Sequence, residues 1–119
     1  ILSIDDSTGQ MVFPGDVPPG SRAWLMRASN EELIDGAEQA AEQSRTVAAP
    51  ELAICVSCVG RRLVLGQRTQ EETESIRAAL GSQTHITGFY SYGELAPNGE
   101  AGACRLHNET MTITTLREV

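Results

Sequence analysis

The sequence contains no lysine, so all nine of its basic residues are arginines. Chemistries that need a primary amine, such as Schiff-base formation and the phosphate clamp of a P-loop, are thereby excluded. A net charge of −7 removes the broad positive field that a phosphate backbone requires, and no nucleic-acid partner is expected. Long apolar runs are also missing. None approaches the ~20 residues that span a bilayer, so no membrane contact is expected. The opening stretch, Ile1 to Asp6, is too short and too acidic for a signal peptide. Cysteine is scarce and odd in number, three in all, which argues against a disulfide framework and for a thiol-reducing, cytoplasmic setting.

What is present is an ordinary globular composition, 40% hydrophobic and 21% charged over 119 residues, enough for one domain around one core. The chain opens at Ile1 directly in a strand-like segment, as expected of a piece of a longer polypeptide with part of its functional site elsewhere.

Three short strands are expected first, at Ile1 to Asp5, Met11 to Phe13 and Ser21 to Ala28, separated by Asp5-Asp6-Ser7-Thr8-Gly9 and by two Pro-Gly breaks. From Ser29 the period changes. Leu33, Ile34, Ala37 and Ala41 fall on one helical face, Ser29 and Glu32 have the spacing of a capping box, and Pro50 enforces the stop. Leu52 to Val59 is almost wholly apolar or small, the pattern of a central strand covered on both faces. A second capping-box spacing, Thr69 and Glu72, predicts a helix whose inner face is Ile76, Ala79 and Leu80, closed by Gly81. Thr84 to Leu95 and Cys104 to Leu116 complete a C-terminal hairpin around Pro97-Asn98-Gly99. The expected class is α+β, with a single mixed, largely antiparallel sheet in the order βββαβαββ packed against two main helices.

Cys55-x-x-Cys58 and Cys104-x-x-His107 have the spacing of a tetrahedral zinc site. Residues three apart on a strand point to opposite faces, so small buried thiols are expected instead and no metal is assigned. A Cys58 nucleophile with His107 as base, in the field of Arg61 and Arg62, is the enzyme alternative. No local signature surrounds either residue, and neither catalytic residue nor cofactor is assigned.

Gly60-Arg61-Arg62 follows the buried strand at its carboxyl end, where open sheets with helical crossovers bind ligands. Two adjacent guanidiniums could grip a carboxylate there, or could pair with surface glutamates. Three of the four Phe and Tyr rings lie in Gly88-Phe89-Tyr90-Ser91-Tyr92-Gly93-Glu94. Strand alternation would put Tyr90, Tyr92 and Glu94 on one face with Gly88, as a polar pocket lining or as core filling. His107 and Asn108 open the last strand on opposite faces.

Taken together, Cys58-Val59-Gly60-Arg61-Arg62, Leu65-Gly66, Gly88 to Glu94, Leu106-His107-Asn108-Glu109-Thr110-Met111-Thr112, Met11 to Pro18 and Leu25 to Ala28 resemble the C-terminal domain of FIST proteins (F-box and intracellular signal transduction). The resemblance runs over nearly the whole chain. It implies one ligand-sensing domain over residues 1–119, following an N-terminal FIST domain of the same chain in bacterial signalling proteins and some eukaryotic F-box proteins. It also implies small, amino-acid-like ligands, and it carries over no catalytic residue. Glu109 departs from the pattern, since relatives often have Gln there, which bears on ligand identity. The expectation is a cytoplasmic sensor in which Arg61 and Arg62 hold a carboxylate while Tyr92, Glu94, His107 and Asn108 complete the site. The alternative from another class is an interaction module that packs on its N-terminal FIST partner or on a second copy as a homodimer.

Overall fold

A computed structural model describes residues 1–46, 48–97 and 103–118. The elements are β1 (Ser3–Asp5), β2 (Gln10–Val12), α1 (Asn30–Ser44), β3 (Leu52–Cys58), α2 (Val59–Leu65), a 3-10 turn (Gly66–Arg68), α3 (Thr69–Leu80), β4 (His85–Ser91), β5 (Glu94–Pro97), β6 (Cys104–His107) and β7 (Met111–Leu116). The α+β class is as expected. Among the described residues, however, the strands divide into three separate sheets, β1-β2, β4-β3-β7 and β5-β6, in place of one continuous sheet.

The three-stranded sheet is the centre of the molecule. β3 runs parallel to β4 and antiparallel to β7, so β4 and β7 are its edges. Its helix-facing side presents Ala53 and Cys55, which pack with Ala37 and Ala41 of α1 and Ile76 and Leu80 of α3, flanked by Ile86, Met111 and Ile113. The apolar spacing of α1 and α3 therefore does what the sequence predicts: each buries one stripe on this face. The opposite side carries Leu52, Ile54 and Val56, which are only half-buried. The apolar run of β3 thus marks a central strand, but one fully buried on the helix-facing side alone.

The α1 capping box forms as predicted. Ser29 Oγ accepts from the Glu32 amide at 3.2 Å, and the Glu32 carboxylate accepts from the Ser29 amide at 2.7 Å. The box at Thr69 does not form. Thr69 lies inside α3 and donates its hydroxyl to the Gly66 carbonyl at 2.5 Å, while Glu72 turns inward and is buried. A stronger partner in the core, described below, takes that carboxylate away from the helix end.

Residues 21–28 form no strand. With no strand among the described residues paired to this segment, Trp24, Leu25 and Met26 remain 75%, 85% and 83% exposed. The two long C-terminal strands are each broken once. Ser91 Oγ donates to the Gly93 carbonyl and receives the Gly93 amide, which turns the chain between β4 and β5. Glu109 adopts φ 58°, a left-handed conformation that ends β6 before β7 begins. β5 and β6 pair antiparallel with Glu94 opposite His107. The turn read at Pro97-Asn98-Gly99 lies largely outside the described residues.

Candidate functional site

The carboxyl ends of the parallel strands β3 and β4 lie side by side, Cys58 in register with Ser91. The chain leaves β3 straight into α2, so Gly60, Arg61 and Arg62 are the first turn of a helix rather than a loop. The sequence signal for this helix was the spacing of Arg61 and Leu65, which are its buried positions.

Arg61 is not available to a ligand. Its guanidinium is 5% exposed and meets Glu72 of α3, 2% exposed, with Nη2 2.6 Å from Oε1. Nε donates to the same oxygen at 2.7 Å, and Nη2 donates to the Leu33 carbonyl of α1 at 2.6 Å. Ser57 of β3 donates its hydroxyl to the other Glu72 oxygen at 3.1 Å. The spacing from Thr69 predicts a helix cap for Glu72, and the buried pair with Arg61 takes its place.

Arg62 is exposed and lies over the Tyr90 ring, 5.2 Å from its centroid, a cation–π contact. Tyr92 does not share a face with Tyr90 and Glu94, because the Ser91–Gly93 turn intervenes. It is 89% exposed, whereas Glu94 is buried. Glu94 accepts the Thr110 hydroxyl proton at 2.6 Å, and its other oxygen lies 2.9 Å from the Ser91 hydroxyl, whose one proton is shared between this carboxylate and the Gly93 carbonyl. His107 places Nε2 3.2 Å from the Ala96 carbonyl. Asn108 stands against Gly15 and Gly93, and the Glu109 side chain against Gly60. The Cys58 amide donates to the Thr110 carbonyl at 3.0 Å. The segments around residues 58–62, 91–94 and 107–110 therefore do converge. What they build, around Glu94, is a hydrogen-bonded junction rather than a hollow.

A hollow lies next to it. A cavity of about 240 Å³ opens between α3 and the edge strand β4, lined by Ser57, Glu72, Ile76, Ile86, Tyr90 and Met111 among others. Gly88 in its wall is dictated by the register: a Cβ there would come within 1.9 Å of the Cys55 carbonyl oxygen opposite. Cys55 also lines the cavity, and burial, then Glu72, push its thiol up to about 11. Burial, then Glu72, likewise raise Tyr90 above the ordinary tyrosine value. Both groups are neutral at pH 7. Cys58 is buried and Cys104 exposed, and among the described residues no cluster of His, Cys, Asp and Glu has the geometry to hold a metal. Nor is any helix among them long and apolar enough to cross a membrane.

In this α+β domain the segments around residues 58–62, 91–94 and 107–110 gather at the carboxyl ends of two parallel strands. The family model described as FIST C domain matches residues 1–97. The chain belongs to the FIST C domain family, a family of signal transduction domains. No curated protein and no solved structure matches it.

Proposed function

We propose that this FIST C domain is a cytoplasmic small-ligand sensor whose output is binding rather than turnover, and that its ligand occupies the cavity between α3 and β4. The ligand class is amino-acid-like and carboxylate-bearing. The observation that supports this is the cavity, which combines an apolar floor of Ile76, Ile86 and Met111 with polar groups from Ser57, Glu72 and Tyr90.

The carboxylate falls to Arg62, which stacks on a ring that itself lines the cavity. Arg61 is spoken for by Glu72, and Glu94, His107 and Asn108 hold the adjoining junction in shape. A thermal-shift panel of amino acids and dicarboxylates tests the reading. A ligand at ~100 times its Kd adds about 2.7 kcal/mol of stability. The expected result is a shift from at least one compound that Arg62→Ala weakens. Absence of any shift across the panel rejects it.

A second reading, the interaction module, is favoured by one observation. Ile4, Met11, Phe13, Trp24, Leu25 and Met26 near the N-terminal side, and Phe89 on the open sheet face, are exposed apolar side chains. An N-terminal FIST domain of the same chain, or a second copy, would cover them. Sedimentation velocity decides whether the chain self-associates, and co-expression with an N-terminal FIST domain decides whether the two co-purify.

A further inference from the structure

We infer that the open edge of β4 binds the C-terminal end of a partner polypeptide, added in extended form as a further strand with one side chain in the α3–β4 cavity. The inference rests on that cavity being the ligand site proposed above, and it names the kind of partner that supplies the ligand.

Among the described residues β4 pairs with β3 alone, which leaves its other edge open. Backbone groups along a strand point alternately toward its two sides. The His85 amide donates to the Glu51 carbonyl at 2.8 Å, so Thr87 and Phe89, in step with it, also turn toward β3. Ile86, Gly88 and Tyr90 therefore turn their N–H and C=O groups outward. Among the described residues none of these groups has a backbone hydrogen-bond partner. Edge strands are ordinarily guarded against pairing by charge, proline or a bulge. His85 to Ser91 contains no proline and no Asp, Glu, Lys or Arg, and its register with β3 is unbroken.

The cavity lies along this same edge. Five consecutive residues of β4, Ile86 to Tyr90, line it, although their side chains alternate between the two faces of the sheet. A hollow that meets all of them meets the main chain of the strand. Gly88, at the middle of the edge, has no side chain to fill the space under α3. An extended segment laid beside β4 pairs with the outward groups and sends one of its alternate side chains into the hollow. That side chain is small and uncharged. The walls set Ile76, Ile86 and Met111 beside Thr73, Thr87 and Tyr90 in about 240 Å³, and the Glu72 carboxylate is already held by Arg61.

Charge at the end of the edge decides which part of a polypeptide fits. Arg62 is exposed, lies over the Tyr90 ring near the carboxyl end of β4, and forms no ion pair among the described residues. A terminal carboxylate meets it when the added segment runs parallel to β4. A second copy of the chain is the poorer occupant. Its own β4 offers no terminal carboxylate, and it brings a net charge of −7 against −7.

The test uses an acetylated hexapeptide of alternating threonine and valine that ends in a free valine carboxylate, titrated into the chain and followed by amide hydrogen exchange. At saturation the amides of Ile86, Gly88 and Tyr90 are expected to slow by at least about tenfold, while those of Thr87 and Phe89, already bonded to β3, keep their rates. The C-terminally amidated peptide should need about tenfold more to saturate, and Arg62→Gln should erase that difference. N-methylation of one alternate set of peptide nitrogens should abolish binding, and of the other set should spare it. Slowing without the alternation, equal saturation by acid and amide, or free valine binding at the cavity with no response to the peptide overturns the inference and leaves the cavity as a small-ligand site. Protection of the outward amides that grows with the concentration of the chain alone assigns the edge to a second copy and overturns it too. A cavity silent to the peptide, to valine and to the thermal-shift panel overturns both readings.

Discussion

Arg61 and Glu72 form a buried ion pair, 2.6 Å apart, that ties α2 to α3 and, through Ser57 and the Leu33 carbonyl, to β3 and α1. Two charges are tolerated inside this small core because each neutralises the other and both are hydrogen-bonded. Removing one partner strands the other: Arg61→Met or Glu72→Gln should each lower stability by roughly 3–5 kcal/mol. The double replacement Arg61→Met with Glu72→Leu should recover most of that loss. Urea denaturation of the three variants measures it, and a double variant as weak as the singles would contradict this account.

Gly88 is the one position in β4 where the backbone of β3 leaves no room for a side chain. Gly88→Ala must either part the strands or twist β4 out of register. We expect a loss of more than about 2 kcal/mol, in the range of overpacked cores. Gly36, whose Cβ would meet nothing within 4 Å, is the control. Gly36→Ala should stabilise α1 by about 0.5–1 kcal/mol.

The Cys55 thiol holds its proton more tightly folded than unfolded. Its contribution to stability is therefore intact below pH 9 and is lost as pH rises through the window up to about 11. Cys55→Ala should flatten the alkaline limb of the stability profile. In native protein at pH 8 a thiol reagent should label the exposed Cys104 first and reach Cys55 only on unfolding.

Ser29→Ala removes the acceptor for the Glu32 amide and should cost about 1 kcal/mol. Thr69→Ala, at the site where the same spacing builds no box, should cost less. A pair of thermal melts compares them, and equal losses would mean that the spacing, not the bond, carries the effect.

Ser29 and Thr69 each stand three residues before a Glu, yet only Glu32 caps a helix. The difference is Arg61, which is 11 positions away along the chain and adjacent in space. Tyr90, Tyr92 and Glu94 alternate as a strand would, and the alternation fails because a Ser91 hydroxyl finds the Gly93 backbone first.

Local chemistry determined α1, α3 and β3. Apolar spacing, one cap and an uninterrupted apolar run act within a few residues, and they read the same in any context. Only the tertiary structure decided which polar residues belong to the core, how the strands divide into sheets, and where a cavity opens. Those outcomes depend on which distant partner reaches a charge or a strand edge first. A guanidinium takes whichever carboxylate its neighbours in space bring to it, and spacing along the chain does not encode that meeting.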